Sequence, residues 1–171
     1  GRRQSAGTKG SDIDLVTEYD TRSEGLIVSR LRAEFPDDDV VAEEGGGGAL
    51  RQAAARWLID PLDGTTNFAH GLPMFCVSMG RARGGVVEVA VVHAPALGLT
   101  FCARRGGGAT CNGERIAVSA TPSLGRAMLA TGFPYDRHTS DENNFAQFIA
   151  FQRSAQAVRR LGSAAIDLAL V

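Results

Sequence analysis

Long apolar runs are missing from this chain. No stretch approaches the roughly 18 consecutive apolar residues of a membrane span, and no basic-then-apolar leader opens it. A surplus of positive charge is missing too: 18 Lys+Arg stand against 19 Asp+Glu, a net charge of −1. That balance argues against a nucleic-acid binder or a polybasic membrane clamp, because both need a positive field. Cysteine is scarce. Cys76, Cys102 and Cys111 are odd in number and form no Cys-x-x-Cys pair, which argues against a disulfide framework or a zinc site. They read as buried, reduced thiols of a cytoplasmic protein. His70, His93 and His138 lie too far apart for a metal-spaced pair. The glycine runs Gly45–Gly48 and Gly106–Gly108 do not continue into Gly-Lys-Ser/Thr, so neither is a nucleotide P-loop. No internal repeat is visible.

What is present is a globular composition, 44% hydrophobic and 22% charged over 171 residues, enough for one domain with a sizeable core. The two ends carry a further expectation. The chain opens Gly1-Arg2-Arg3-Gln4 without an initiator Met and closes in the apolar run Ala164–Val171 with no stop signal. That pattern reads as a fragment, truncated at both ends.

Residues 1–11 read as a loop, and Ile13–Thr17 as a short extended segment. Thr21-x-x-Glu24 matches a capping box, with Asp20 just ahead of it as a helix N-cap. Ile27, Leu31 and Phe35 follow at i, i+4, i+8 as one apolar helix face, which Pro36 ends. Val40–Ala42 and Trp57–Ile59 read as buried strands, the first closed by Glu43-Glu44 and the second by Asp60-Pro61. A meander follows through Phe75–Ala82, Val86–His93 and Leu99–Ala103, with turn signals at Gly84-Gly85 and Asn112-Gly113. Past Thr121-Pro122 the pattern shifts to a strand at Met128–Thr131, a helix over Asp141–Ser154 and a last helix capped by Ser163. Meander first, alternation after, predicts an α+β half over 1–120 and the start of an α/β half over 121–171.

The chemistry concentrates in Asp60-Pro61-Leu62-Asp63-Gly64-Thr65-Thr66-Asn67-Phe68. A strand delivers Asp60 to its end, and Pro61 is expected to force a turn rather than continued pairing. Asp60 and Asp63 can then converge with the Leu62 carbonyl, the oxygen set a hard divalent cation such as Mg²⁺ takes. Gly64-Thr65-Thr66 places backbone N–H groups immediately after the acids, suited to a phosphate. If the Val40–Ala42 strand pairs beside Trp57–Ile59, Glu43 or Glu44 reaches the same point. Each piece alone is more often a turn or a solvated strand end; the conjunction makes the string specific.

The chain resembles the inositol monophosphatase family, within the lithium-sensitive, metal-dependent phosphatase superfamily. The resemblance rests on Asp60–Phe68 and His70-Gly71-Leu72-Pro73. Asp14–Asp20, Ala42-Glu43-Glu44, Asn112-Gly113 and Leu161–Ala165 support it. It implies a layered αβαβα sandwich of the α/β (α+β) class, a homodimer, and hydrolysis of a small phosphate monoester with two or three Mg²⁺ ions. It also implies roles: Glu43, Asp60, the Leu62 carbonyl and Asp63 as metal ligands, and Thr65 with Asp20, assisted by Glu43, activating the attacking water. Asp63, Gly64 and Thr65 would contact the phosphate, Gly162, Ser163 and Ala164 the substrate hydroxyls, and Lys9 would supply a basic group near the metal. Inositol monophosphate is the substrate the resemblance favours, through Gly71-Leu72-Pro73 and Gly132–Asp136. Fructose bisphosphate, histidinol phosphate and adenosine bisphosphate are the alternatives. A non-catalytic regulatory binding protein on the same fold is the rival of another class, but it would be expected to have lost some of these acids.

Three departures from the family pattern stand out. Ala42 takes the place of a usual glycine before the acids. The sequence stops before the family's downstream Trp-Asp motif, whose Asp is a metal ligand, and before its acidic residue that contacts the polyol, and the family's opening helix is absent ahead of Gly1. The expectation is that this fragment alone is weak or inactive.

Overall fold

The computed structural model describes residues 6–8, 15–45, 47 and 53–171. Lys9 and Asp14 lie outside the described residues. Strands β1 (Ala6–Thr8) and β2 (Leu15–Thr17) pair antiparallel, so the stretch expected to be a loop contributes a strand. Helix α1 spans Glu18–Glu34. It starts ahead of the expected Thr21 box, so Asp20 is no N-cap and the box lies within the helix rather than at its start. Its buried line is Asp20, Glu24 and Val28, spaced i, i+4, i+8 on one face. Ile27 and Leu31 flank the core, while Phe35 is exposed and stacks on Trp57 with ring centroids 5.2 Å apart.

The main sheet has strand order β3-β4-β5-β6-β7-β8-β9. Its members are Asp39–Ala42, Ala55–Asp63, Cys76–Arg83, Val86–Ala94, Leu99–Arg104, Gly108–Cys111 and Glu114–Ile116. β3 and β4 run parallel, with Ala42 opposite Ile59; every other neighbour is antiparallel. The Gly84-Gly85 and Asn112-Gly113 turns form as expected, all four residues at positive φ. At Pro61 the outcome differs. β4 does not turn away: it bulges between Asp60 and Asp63 and resumes pairing at Asp63–Cys76. A bulge accommodates the missing proline N–H while keeping both acids on the strand.

The short helix α2 (Thr65–Ala69) follows β4 directly. Further on, β10 (Met128–Ala130) pairs parallel with β11 (Ala157–Arg159), around α3 (Phe145–Ser154), and α4 (Ala164–Ala169) closes the described chain. Two clusters hold these parts together. Val28, Val40 and Ile59 seal α1 onto the sheet. Cys76, Ala94 and Ile166 seal α4 onto β5 and β6. Of the three thiols only Cys76 is buried; Cys102 is exposed and Cys111 half-buried, and all are free. The alternation that sets strand faces puts Cys102 outward. Among the described residues no helix is long and apolar enough to cross a membrane.

Candidate metal and phosphate site

Parallel pairing brings the end of β3 beside the end of β4, and the Glu43 N–H donates to the Ile59 carbonyl at 3.2 Å. Glu43 therefore leaves its strand next to Asp60. The carboxyl of Asp60 is pushed up to about 7, first by burial, then by the charges of Glu43 and Asp63. Its Oδ1 accepts the Leu62 N–H at 3.1 Å, a local turn that fixes the bulge. Concentrating carboxylates in a partly buried corner is costly unless a cation offsets them.

Asp63 takes a different set of partners. Its Oδ2 accepts the Ser163 hydroxyl at 2.6 Å and the Ala165 N–H at 2.7 Å; its Oδ1 accepts the Ala164 N–H at 3.3 Å. Ser163, 1% exposed, also caps α4 by accepting the Ile166 N–H, the capping role read from the sequence. Its hydroxyl faces Asp63 and α4, not the solvent. Gly162 and Ala164 are exposed beside it. A cleft of about 1040 Å³ opens along them, lined also by Asp63, Asn67, Tyr135 and Arg160.

Thr65 begins α2 with its Oγ1 2.9 Å from Asp20 Oδ1 and 3.0 Å from the Leu62 carbonyl. The hydroxyl donates to one of these at a time and keeps lone pairs to accept a further proton. Asp20 is 2% exposed, brought from a helix 45 residues away in sequence. Gly64 makes this corner possible: at φ +92°, a Cβ there would sit 2.7 Å from the Met74 carbonyl oxygen. Asn67, nearly buried, donates to the Met74 and Leu161 carbonyls at 2.7 and 2.8 Å. Tyr19, Phe68 and Phe75 then form an aromatic chain, with centroids 5.2 and 5.0 Å apart, that fastens α1 to α2.

Among the described residues no three Asp, Glu, His or Cys side chains close into a finished metal cage. The donors do share a character. Glu43, Asp60, Asp63 and the Leu62 carbonyl are hard oxygens at one end of two adjacent strands, and their mutual repulsion raises Asp60. That set fits a hard divalent cation of the Mg²⁺ class and not a soft one. Three residues given no role in the site from sequence hold it together: Asn67, Ser23, whose Oγ donates to the Pro61 carbonyl, and Glu24, which accepts the Glu44 N–H. The available signal was Glu24 itself, a charged residue in register with Val28 on the core-facing side of α1.

An acidic oxygen centre at the strand ends of an α+β scaffold, beside a cleft that α4 helps to wall, defines the class. The chain belongs to the inositol monophosphatase family, whose sequence model matches residues 2–171. It is 44% identical over 168 residues to an inositol-1-monophosphatase of Synechocystis sp., covering 98% of this chain and 58% of that protein. It is 40% identical over 172 residues to a fructose-1,6-bisphosphatase/inositol-1-monophosphatase of Thermotoga maritima, covering 100% and 63%. The crystal structure of extragenic suppressor protein suhB from Bartonella henselae superposes with a TM-score of 0.90 at 33% identity, covering 98% of this chain and 64% of that one. The chain thus spans about three-fifths of the length of the proteins it matches.

Proposed function

We propose that the chain carries the metal- and phosphate-binding part of a Mg²⁺-dependent phosphate monoester hydrolase acting on inositol monophosphate. The observation that carries this reading is the Thr65 hydroxyl, held 2.9 Å from buried Asp20 and 3.0 Å from the Leu62 carbonyl. Glu43, Asp60, Asp63 and the Leu62 carbonyl would hold the cation. Bound there, Mg²⁺ would offset phosphate charge and lower the pKa of a water. Thr65 orients that water by accepting a hydrogen bond from it while donating to Asp20, so that a proton lost by the water would pass to Thr65 Oγ1 as the hydroxyl's own proton passes to the Asp20 carboxylate. The Gly64–Thr65 backbone cradles the phosphate. Gly162 and Ala164 present backbone to the substrate hydroxyls across the cleft, and Ser163 acts through Asp63. Lys9 as a nearby basic group, two or three Mg²⁺ ions, a homodimer and a cytoplasmic setting complete the proposal on the family resemblance. A nucleic-acid partner has no support in the charge balance.

The test is a chimera in which this chain replaces the matching 58% of the Synechocystis relative. Mg²⁺-dependent phosphate release from inositol 1-phosphate is expected, and Asp60→Asn or Thr65→Ala should abolish it. Undiminished turnover in both variants would overturn the assignment. Fructose 1,6-bisphosphate belongs in the same assay, because the Thermotoga relative is named for both activities. A preference for it, histidinol phosphate or adenosine bisphosphate would replace the substrate. Mg²⁺ binding without turnover of any of them would favour a regulatory binding protein on this fold.

A further inference from the structure

Helix α1 is built the wrong way round for a simple amphipathic helix. Leu26 is 62% exposed, while Glu24, two residues earlier, is 3% exposed. Burying a carboxylate is costly unless it is hydrogen-bonded to something worth holding. Glu24 Oε2 accepts the Glu44 N–H at 2.7 Å. Its neighbour Ser23 donates to the Pro61 carbonyl at 3.0 Å. One turn earlier, Asp20 accepts the Thr65 hydroxyl. Residues 20, 23 and 24 share one helix side, so a single rigid surface grips three separate segments. These are the turn behind Glu43, the bulge between Asp60 and Asp63, and the start of α2.

We infer that α1 is the template of the cation site, and that Ser23 and Glu24 are positioning residues for it. The inference rests on the metal-site reading under Proposed function. Glu43 is an exposed side chain on a turn beside the largely buried carboxyl of Asp60. A turn free to rotate would carry the carboxylate away from Asp60 and into water, where it gains rotamer freedom. Two amides prevent this. The Glu43 N–H is fixed on Ile59 and the Glu44 N–H on Glu24, so the peptide between them cannot rotate. Ser23 does the same for the Pro61 peptide, whose orientation sets that of the Leu62 carbonyl next in line.

The experiment is Mg²⁺ titration by calorimetry on the chimera described under Proposed function. Glu24→Ala should weaken Mg²⁺ binding about 10- to 100-fold, the usual effect of removing a group that orients a ligand, and Ser23→Ala should weaken it in the same direction. Glu24→Gln keeps an acceptor oxygen for the Glu44 N–H and should bind within about threefold of wild type. Val28→Ala, one turn along the same face and in the core, should lower the melting temperature without moving the affinity. Unchanged affinity in Glu24→Ala, an equal loss in Val28→Ala, or a loss in Glu24→Gln as large as in Glu24→Ala would each overturn the inference and leave the metal site standing. Wild type that binds no Mg²⁺ would overturn the metal-site reading and the template with it.

Discussion

Replacing Asn67 by aspartate tests how the site is joined to the segment that follows β11. The two side chains have the same shape, so the change is one of hydrogen-bond polarity. In the native chain the Asn67 amide donates to the Met74 and Leu161 carbonyls at 2.7 and 2.8 Å, in a position 9% exposed. Aspartate removes both donors and sets a carboxylate oxygen against two carbonyl oxygens. Each buried hydrogen bond lost this way costs about 1–3 kcal/mol, so the pair amounts to about 2–6 kcal/mol. For a chain of this size that corresponds to a fall of roughly 4–24 °C in melting temperature. The deficit should depend on pH. The introduced carboxyl would hold its proton more tightly in the folded pocket than in the unfolded chain, because the neutral acid restores one donor. Its penalty is therefore small below an unfolded pKa of about 3.9 and grows as pH rises through the higher folded value. Melting followed by circular dichroism at pH 5 and pH 8 should show the larger gap from wild type at pH 8. Asn67→Ala should show a gap that does not change with pH. A loss under about 2 °C for Asn67→Asp, or equal gaps at both pH values, would refute the tether.

Gly64→Ala should destabilise by about 2–4 kcal/mol, since a Cβ there meets the Met74 carbonyl oxygen at 2.7 Å and the Phe75 Cα at 3.2 Å; a melting temperature within error of wild type would show that the corner is looser than described. Asp60, raised to about 7 by burial and by Glu43 and Asp63, adds stability that is present at low pH and lost as pH rises through about 7. In metal-free buffer Asp60→Asn should therefore raise the melting temperature more at pH 8 than at pH 5, because the loss builds up between the unfolded pKa of about 3.9 and the folded value of about 7, and an equal effect at both would refute the clustering. Maleimide should label native Cys102 before Cys76, whose buried thiol is pushed up to about 12; labelling of Cys76 at the rate of Cys102 would contradict its place in the core.

The parts legible in the sequence are those set by local chemistry. Gly84-Gly85 and Asn112-Gly113 make hairpins because their backbones accept positive φ at both positions. Ser163 caps α4 through a hydroxyl that accepts an N–H only three residues further on. The acids near Asp60 were legible because glycine, proline and threonine surround them in a long, specific string. What escaped depends on partners far along the chain. Thr21-x-x-Glu24 has the form of a capping box, yet Glu24 is engaged by Glu44, 20 residues away. Pro61 has the form of a strand terminator, yet the next strand offers Cys76 for renewed pairing and the local answer is a bulge. β11 escaped because three residues, Ala157–Arg159, carry too little alternation to stand out.

Asp63 shows how one carboxylate can serve both the site and the fold. Its two oxygens are not equivalent. Oδ2 is taken by two short hydrogen bonds, from Ser163 and the Ala165 N–H, whereas Oδ1 receives a single long one of 3.3 Å from the Ala164 N–H. An oxygen with two short donors has little lone-pair capacity left, while its partner retains most of its own. Oδ2 therefore anchors α4, and Oδ1 is the oxygen with capacity for a cation. Two consequences follow for the geometry. The carboxylate plane is fixed from the side of α4, so the direction of Oδ1 is inherited from the packing of Ile166 against Cys76 and Ala94. Asn67 and Gly162 brace the same junction, since a Cβ on Gly162 would meet the Asn67 amide nitrogen at 2.9 Å. The oxygens proposed to face the cation thus have two independent supports: α1 holds the Glu44 N–H and the Pro61 carbonyl beside Glu43 and Asp60, and α4 holds Asp63.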